Sequence, residues 1–111
     1  MRGKDIKKRK TTKMRKVDEI YVCVEKAVTE EIELPENWMI SRTEDCVDAR
    51  YILVNHLFSK GLSRKQIEVK TGLPKSTVRQ YINQYSERIR TRKMTAIWSV
   101  SIWQKLGDKT L

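Results

Sequence analysis

The stretch Gly61-Leu62-Ser63-Arg64-Lys65-Gln66-Ile67-Glu68-Val69-Lys70-Thr71-Gly72-Leu73-Pro74-Lys75-Ser76-Thr77-Val78-Arg79-Gln80-Tyr81 decides how the rest of the chain is read. Ser63 followed three residues later by Gln66 is a helix start, because the Ser hydroxyl can accept the Gln66 N–H while the Gln side chain reaches back to the Ser63 N–H. Gly72 stops that helix by taking the left-handed conformation without a Cβ clash. Pro74 opens the next one, at a position whose N–H would be an orphan anyway. Two short helices therefore meet at a sharp turn. In the second, Val78, Tyr81, Ile82, Tyr85 and Ile89 recur on one face, which leaves Lys75, Ser76, Thr77, Arg79, Gln80 and Asn83 pointing outward. That outer face is rich in donors and free of acids. The pattern predicts a helix-turn-helix over about residues 63–90, with a second helix that can enter the DNA major groove. A plain helical hairpin inside a core is the competing reading.

Working outward, Ser41-Arg42-Thr43-Glu44 reads as a second capping box. It opens a long helix with Cys46, Val47, Ala49, Ile52, Leu53, Leu57 and Phe58 inward and Gly61 at its end. Before it, Val17, Ile20, Tyr21, Val24, Ala27, Val28 and Ile32 fall at helical intervals. Leu34-Pro35 closes that helix, and Trp38 turns into the core. Beyond Ile89, Arg90-Thr91-Arg92-Lys93 either extends the second helix or crosses a DNA backbone. Trp98-Ser99-Val100-Ser101-Ile102 alternates as a strand would, but no partner strand is visible, so residues 94–106 are expected as a helix. Trp98 and Trp103 then lie on different faces of it, an aromatic surplus that suggests a homodimer contact. The expectation is an all-α bundle of about five helices over residues 17–111, preceded by a disordered basic arm over residues 1–16.

The charge distribution supports a polyanion partner. Of the net +10, residues 1–16 carry +8, residues 17–48 carry −8, residues 49–93 carry +9 and the last 18 carry +1. The cationic blocks thus coincide with the two-helix stretch and the arm. Such an arm raises nucleic-acid affinity by releasing counterions, or else serves as a solubilising terminus. Cys23 and Cys46 lie in apolar helical patterns without metal-ligand spacing, and His56 cannot complete a zinc set with them, so both are expected as buried thiols and no metal or cofactor is expected. His56 itself reads as a packed or surface residue. No apolar run is long enough to span a bilayer and no signal-peptide core follows the basic N-terminus. A soluble, cytoplasmic, nucleoid-associated protein without a small-molecule substrate is expected.

With these pieces in order, residues 17 to 106 resemble the C-terminal DNA-binding domain of DnaA, the bacterial replication initiator, a member of the Trp-repressor-like group. The Val17 to Ile32 helix, Ser41-Arg42, Asp48-Ala49-Arg50, Leu62-Ser63 with Ile67, Gly72 and Ser76-Thr77-Val78 carry the resemblance. It implies that Arg42 occupies the place of a minor-groove arginine, and that Pro74, Lys75, Ser76 and Thr77 stand where the family reads bases with Asp-His-Thr-Thr. The acidic acceptor is missing here, so a different sequence should be read. Glu44 and Asp45 stand where the family's loop is basic, and Glu68 replaces a small residue where two helices cross. No Walker-type phosphate loop exists, so the ATPase of DnaA is not part of this chain. Lys75, Ser76, Thr77, Arg79 and Gln80 are expected to read bases, and Arg42, Arg50, Arg64, Lys65, Arg90, Arg92 and Lys93 to hold the backbone or minor groove. The expected function is non-enzymatic binding of double-stranded DNA in transcription or replication. The alternative is a protein-assembly factor that uses the acidic first helix and the Trp-bearing C-terminus.

Overall fold

The computed structural model describes residues 2–107, with side chains from residue 16 onward. It contains six helices, α1 (Arg2–Glu31), α2 (Glu44–Ser59), α3 (Arg64–Thr71), α4 (Lys75–Asn83), α5 (Tyr85–Thr91) and α6 (Lys93–Lys105), and no strand occurs among the described residues. None of the helices is long and apolar enough to cross a membrane.

α2 is the hub. Ten of its sixteen residues are buried, and it packs against every other helix. Val24, Ala27, Val28 and Ile32 of the first helical segment close over one side of it, as their i, i+3, i+4 recurrence requires. α1 nevertheless starts far earlier than Val17. The basic segment expected as a separate disordered arm is continuous with the helix, because Lys, Arg and Met are good helix formers and each residue added to an existing helix gains a hydrogen bond without a new nucleation cost. The side chains of residues 1–15, and with them any contact of the arm with phosphates, lie outside the described residues. Cys23 is exposed rather than buried, since Val24 takes the inward position beside it, whereas Cys46 is buried.

The start of α2 differs from the capping box anticipated at Ser41. The N-cap is Thr43, without a side-chain cap, and three residues on stands Cys46, which has no group to complete a box. Ser41 Oγ instead accepts the Thr43 N–H at 3.4 Å, and the acids Glu44 and Asp45 in the first turn complement the helix dipole. At the other end Phe58 is 40% exposed rather than inward, with the Arg64 guanidinium 5.6 Å above its ring.

The helix expected to run from Pro74 past Ile89 is broken at Gln84, where φ is −102° and ψ 9°. This makes the count six rather than about five. Backbone hydrogen bonds persist on both sides of the break, Gln84 N to Gln80 O at 2.9 Å and Arg88 N to Gln84 O at 3.0 Å. α6 is helical, as favoured. Thr95, Ser99 and Ile102 face inward, so the strand-like alternation of residues 98–102 places a small Ser against the core, where its hydroxyl meets the Tyr85 hydroxyl. Burial raises the Tyr85 pKa, an effect the bond to Ser99 opposes. Both tryptophans are half-buried against the molecule itself, Trp98 on the core and Trp103 with its ring centroid 4.5 Å from that of buried His56. The aromatic surplus expected on α6 is therefore not there. The exposed apolar side chains of this helix are Met94, Ile97 and Val100.

Candidate nucleic-acid interface

Local chemistry builds the α3–α4 edge. Both arms of the Ser63–Gln66 box are formed, Gln66 N donating to Ser63 Oγ at 3.1 Å and Ser63 N to Gln66 Oε1 at 2.9 Å. Ile67 is fully buried and holds the helix down, while Arg64 and Lys65 in the first turn are exposed. Gly72 caps the end at φ 75°, its N–H donating to Glu68 O at 2.8 Å. Thr71 Oγ1 then accepts the Leu73 N–H at 3.2 Å. Pro74 is extended and serves as the N-cap of α4, one residue outside the position expected for it, and its carbonyl accepts from Val78 N at 3.0 Å.

α4 is anchored by Val78 and Tyr81. The Tyr81 ring lies with its centroid 4.3 Å from that of Tyr51, and its backbone carbonyl accepts from Asn55 Nδ2 at 2.9 Å. With that side fixed, Lys75, Ser76, Arg79, Gln80 and Asn83 are exposed and Thr77 is half-buried. Four of the five residues predicted to read bases therefore share the solvent side of one helix. The first N–H groups of α4 have no intrahelical acceptor, which adds positive potential beside Lys75. Neither Lys75 nor Arg79 meets a carboxylate within ion-pair distance among the described residues, and the same holds for Arg42, Arg64 and Lys65. Lys70, by contrast, pairs with Asp18 of α1.

The residues assigned to the DNA backbone divide. Arg42, Arg64, Lys65 and Lys93 are exposed. Arg50 does not belong with them. It is 7% exposed, and its guanidinium donates to Trp38 O at 2.6 Å, Ser41 O at 2.7 Å and Tyr81 Oη at 3.2 Å. A phosphate cannot reach it. Arg92 is likewise committed. Its Nη2 lies 2.7 Å from Asp48 Oδ2 and its Nη1 3.1 Å from Glu44 Oε2, and the bond to Asp48 is the main reason its pKa is raised. Arg90 is exposed but bonded to Glu87, whose carboxyl it holds below the usual range.

Two residues of this network were missed in the sequence. Asp48 is fully buried and takes Arg88 as well as Arg92, with Arg88 Nε and Nη2 each 2.7 Å from its Oδ1. Arg88 also stacks over Tyr51 at 5.0 Å. A signal for Asp48 was present. It lies four residues before Ile52 on the apolar face of its helix, where a carboxylate requires a cation. Which cation is not encoded locally, because Arg88 is forty residues away. Among the described residues no group of three or more His, Cys, Asp or Glu side chains could hold a metal ion.

No known protein family, curated protein or solved structure matches the chain.

Proposed function

We propose that this chain is a double-stranded-DNA-binding protein in which α3, the Gly72–Pro74 turn and α4 act as a helix-turn-helix. The observation that carries this reading is the solvent side of α4, where Lys75, Ser76, Arg79 and Gln80 stand together on a helix whose other side is locked to α2. Lys75 and Arg79 can donate to guanine O6 and N7, and Gln80 can pair with adenine N6 and N7. Arg64, Lys65 and Arg42 flank the helix as phosphate contacts, which orient the protein without reading sequence. The resemblance to the DNA-binding domain of DnaA agrees with this and points to a transcription regulator or replication accessory factor of a bacterium, phage or mobile element. The role is binding rather than turnover.

Selection of bound sequences from a random duplex pool at about physiological salt, where non-specific affinity falls to roughly 10–100 micromolar, tests the proposal. An enriched motif is expected, and the Lys75→Ala, Arg79→Ala double variant is expected to lose that preference more than its affinity for random duplex. Absence of enrichment, or equal loss on both duplexes, would overturn sequence reading by α4.

A second reading rests on the exposed Met94, Ile97 and Val100 of α6. A stripe of this kind is a protein contact, either for a second copy or for another chain. Sedimentation at high protein concentration separates the two, because self-association produces a dimer and a foreign partner leaves a monomer.

A further inference from the structure

Arg50 is a buried cation without a buried anion. Among the described residues no carboxylate lies within ion-pair distance of it, and its charge rests on two backbone carbonyls and a phenol. Burying a guanidinium this way carries a desolvation cost, which a methionine of similar length would avoid. Stability alone therefore does not account for an arginine here. What the arginine does, and an apolar residue cannot, is link separate parts of the chain. Its planar fork presents N–H donors in fixed directions. One Nη1 binds both Trp38 O and Ser41 O, the carbonyls on either side of Met39 and Ile40, and Nε binds the hydroxyl of Tyr81 in α4. The residue after Ser41 is Arg42, exposed and without an ion pair among the described residues. The turn that carries it is further braced by Ile40 N and Ser41 N, each donating to Asn37 O at 3.0 Å.

The geometry points to Arg50 as a positioning residue that fixes the Arg42 loop at a set distance from the α4 reading face, so that the two contact a duplex as one rigid unit. This rests on the DNA-binding reading proposed above. Phosphates recur at fixed intervals along a duplex, so a rigid spacing lets Arg42 meet a phosphate or minor groove at a defined offset from α4 without ordering the loop on binding. If the link is cut, Arg42 becomes a loosely held counterion.

A double-mutant cycle tests this on the full chain, with anisotropy of a labelled random-sequence duplex as readout. Arg42→Ala is expected to weaken native binding and to lower the salt slope by about 0.9, the share of one phosphate. In an Arg50→Met background the same Arg42→Ala change is expected to cost at least about twofold less, while Lys75→Ala costs the same in both. Tyr81→Phe removes only the link to α4 and keeps Arg50 on its carbonyls. It decides the question if Arg50→Met fails to fold by circular dichroism, with the same reduced cost of Arg42→Ala expected. An Arg42→Ala cost that is equal in the native chain and in the folded backgrounds would overturn the positioning role and leave DNA binding intact. A native chain that binds no duplex at low salt would overturn both.

Discussion

The α3–α4 edge and the α5–α6 corner are both rich in cationic side chains and use them in opposite ways. At the α3–α4 edge Arg64, Lys65, Lys75 and Arg79 stand exposed on helices whose ends are set by near neighbours in sequence, the Ser63–Gln66 box and the Gly72 cap, and which Ile67, Val78 and Tyr81 seat on the core. At the α5–α6 corner, Arg88, Arg90, Arg92 and Lys93 follow one another more densely still. There, two arginines bind Asp48, a third binds Glu87, and Lys93 alone of the four meets no carboxylate among the described residues. A run of basic residues therefore says little about available charge until the acids opposite it are known. The first region leaves its cations in solvent, because the contacts that fold it do not draw on them. The second is occupied with holding the fold.

The largest effect should come from the corner. Asp48→Ala removes a fully buried carboxylate and leaves Arg88 with only the exposed Glu44, 3.6 Å away, an expected loss of about 3–5 kcal/mol in urea unfolding. Where the variant remains folded, its duplex binding should become more salt-dependent, because the released arginines can reach phosphates. A loss smaller than that caused by cutting a cap would break the contrast between the two regions. On the edge, Gly72→Ala forces an L side chain to φ 75°. Nothing lies within 4 Å of the added Cβ, so the expected cost of about 1–2 kcal/mol is purely conformational, and Gly72→Asn should recover part of it. Ser63→Ala is the mildest, about 1 kcal/mol from a lost cap, with faster amide exchange confined to the first turn of α3. If Ser63→Ala instead loosened the α5–α6 corner, the two regions would not be independent.

What could be read from the sequence follows the same division. The Ser63 box, the Gly72 cap and the inward set of Val78 and Tyr81 were legible because each is decided within four residues. Arg42, Arg64, Lys65, Lys75 and Arg79 were legible as exposed for the same reason. Arg50 and Arg92, expected as phosphate contacts, are bound to partners that are remote in sequence. Tyr81 lies 31 residues from Arg50, and Asp48 lies 44 from Arg92. The start of α2 failed for a mixed reason. Ser41-Arg42-Thr43-Glu44 satisfies the local pattern, but Arg50 ties down the Ser41 carbonyl, and the helix begins after Thr43 instead. The break at Gln84 has no glycine or proline to announce it. Cys23 and Phe58 show the limit of periodicity, since an apolar residue at the rim of a stripe can fall on either side of the surface.

The position of α2 also bears on how the chain folds. Every other helix packs on it. Partly assembled forms lacking α2 would leave Val24, Val28, Ile67, Val78 and Ile102 in water. Such forms should not accumulate, and the described part of the chain is expected to melt in one cooperative step, with helicity and tyrosine burial lost together. The α3–α4 edge would then melt with the whole, and its caps would decide only how far its helix ends fray below that temperature.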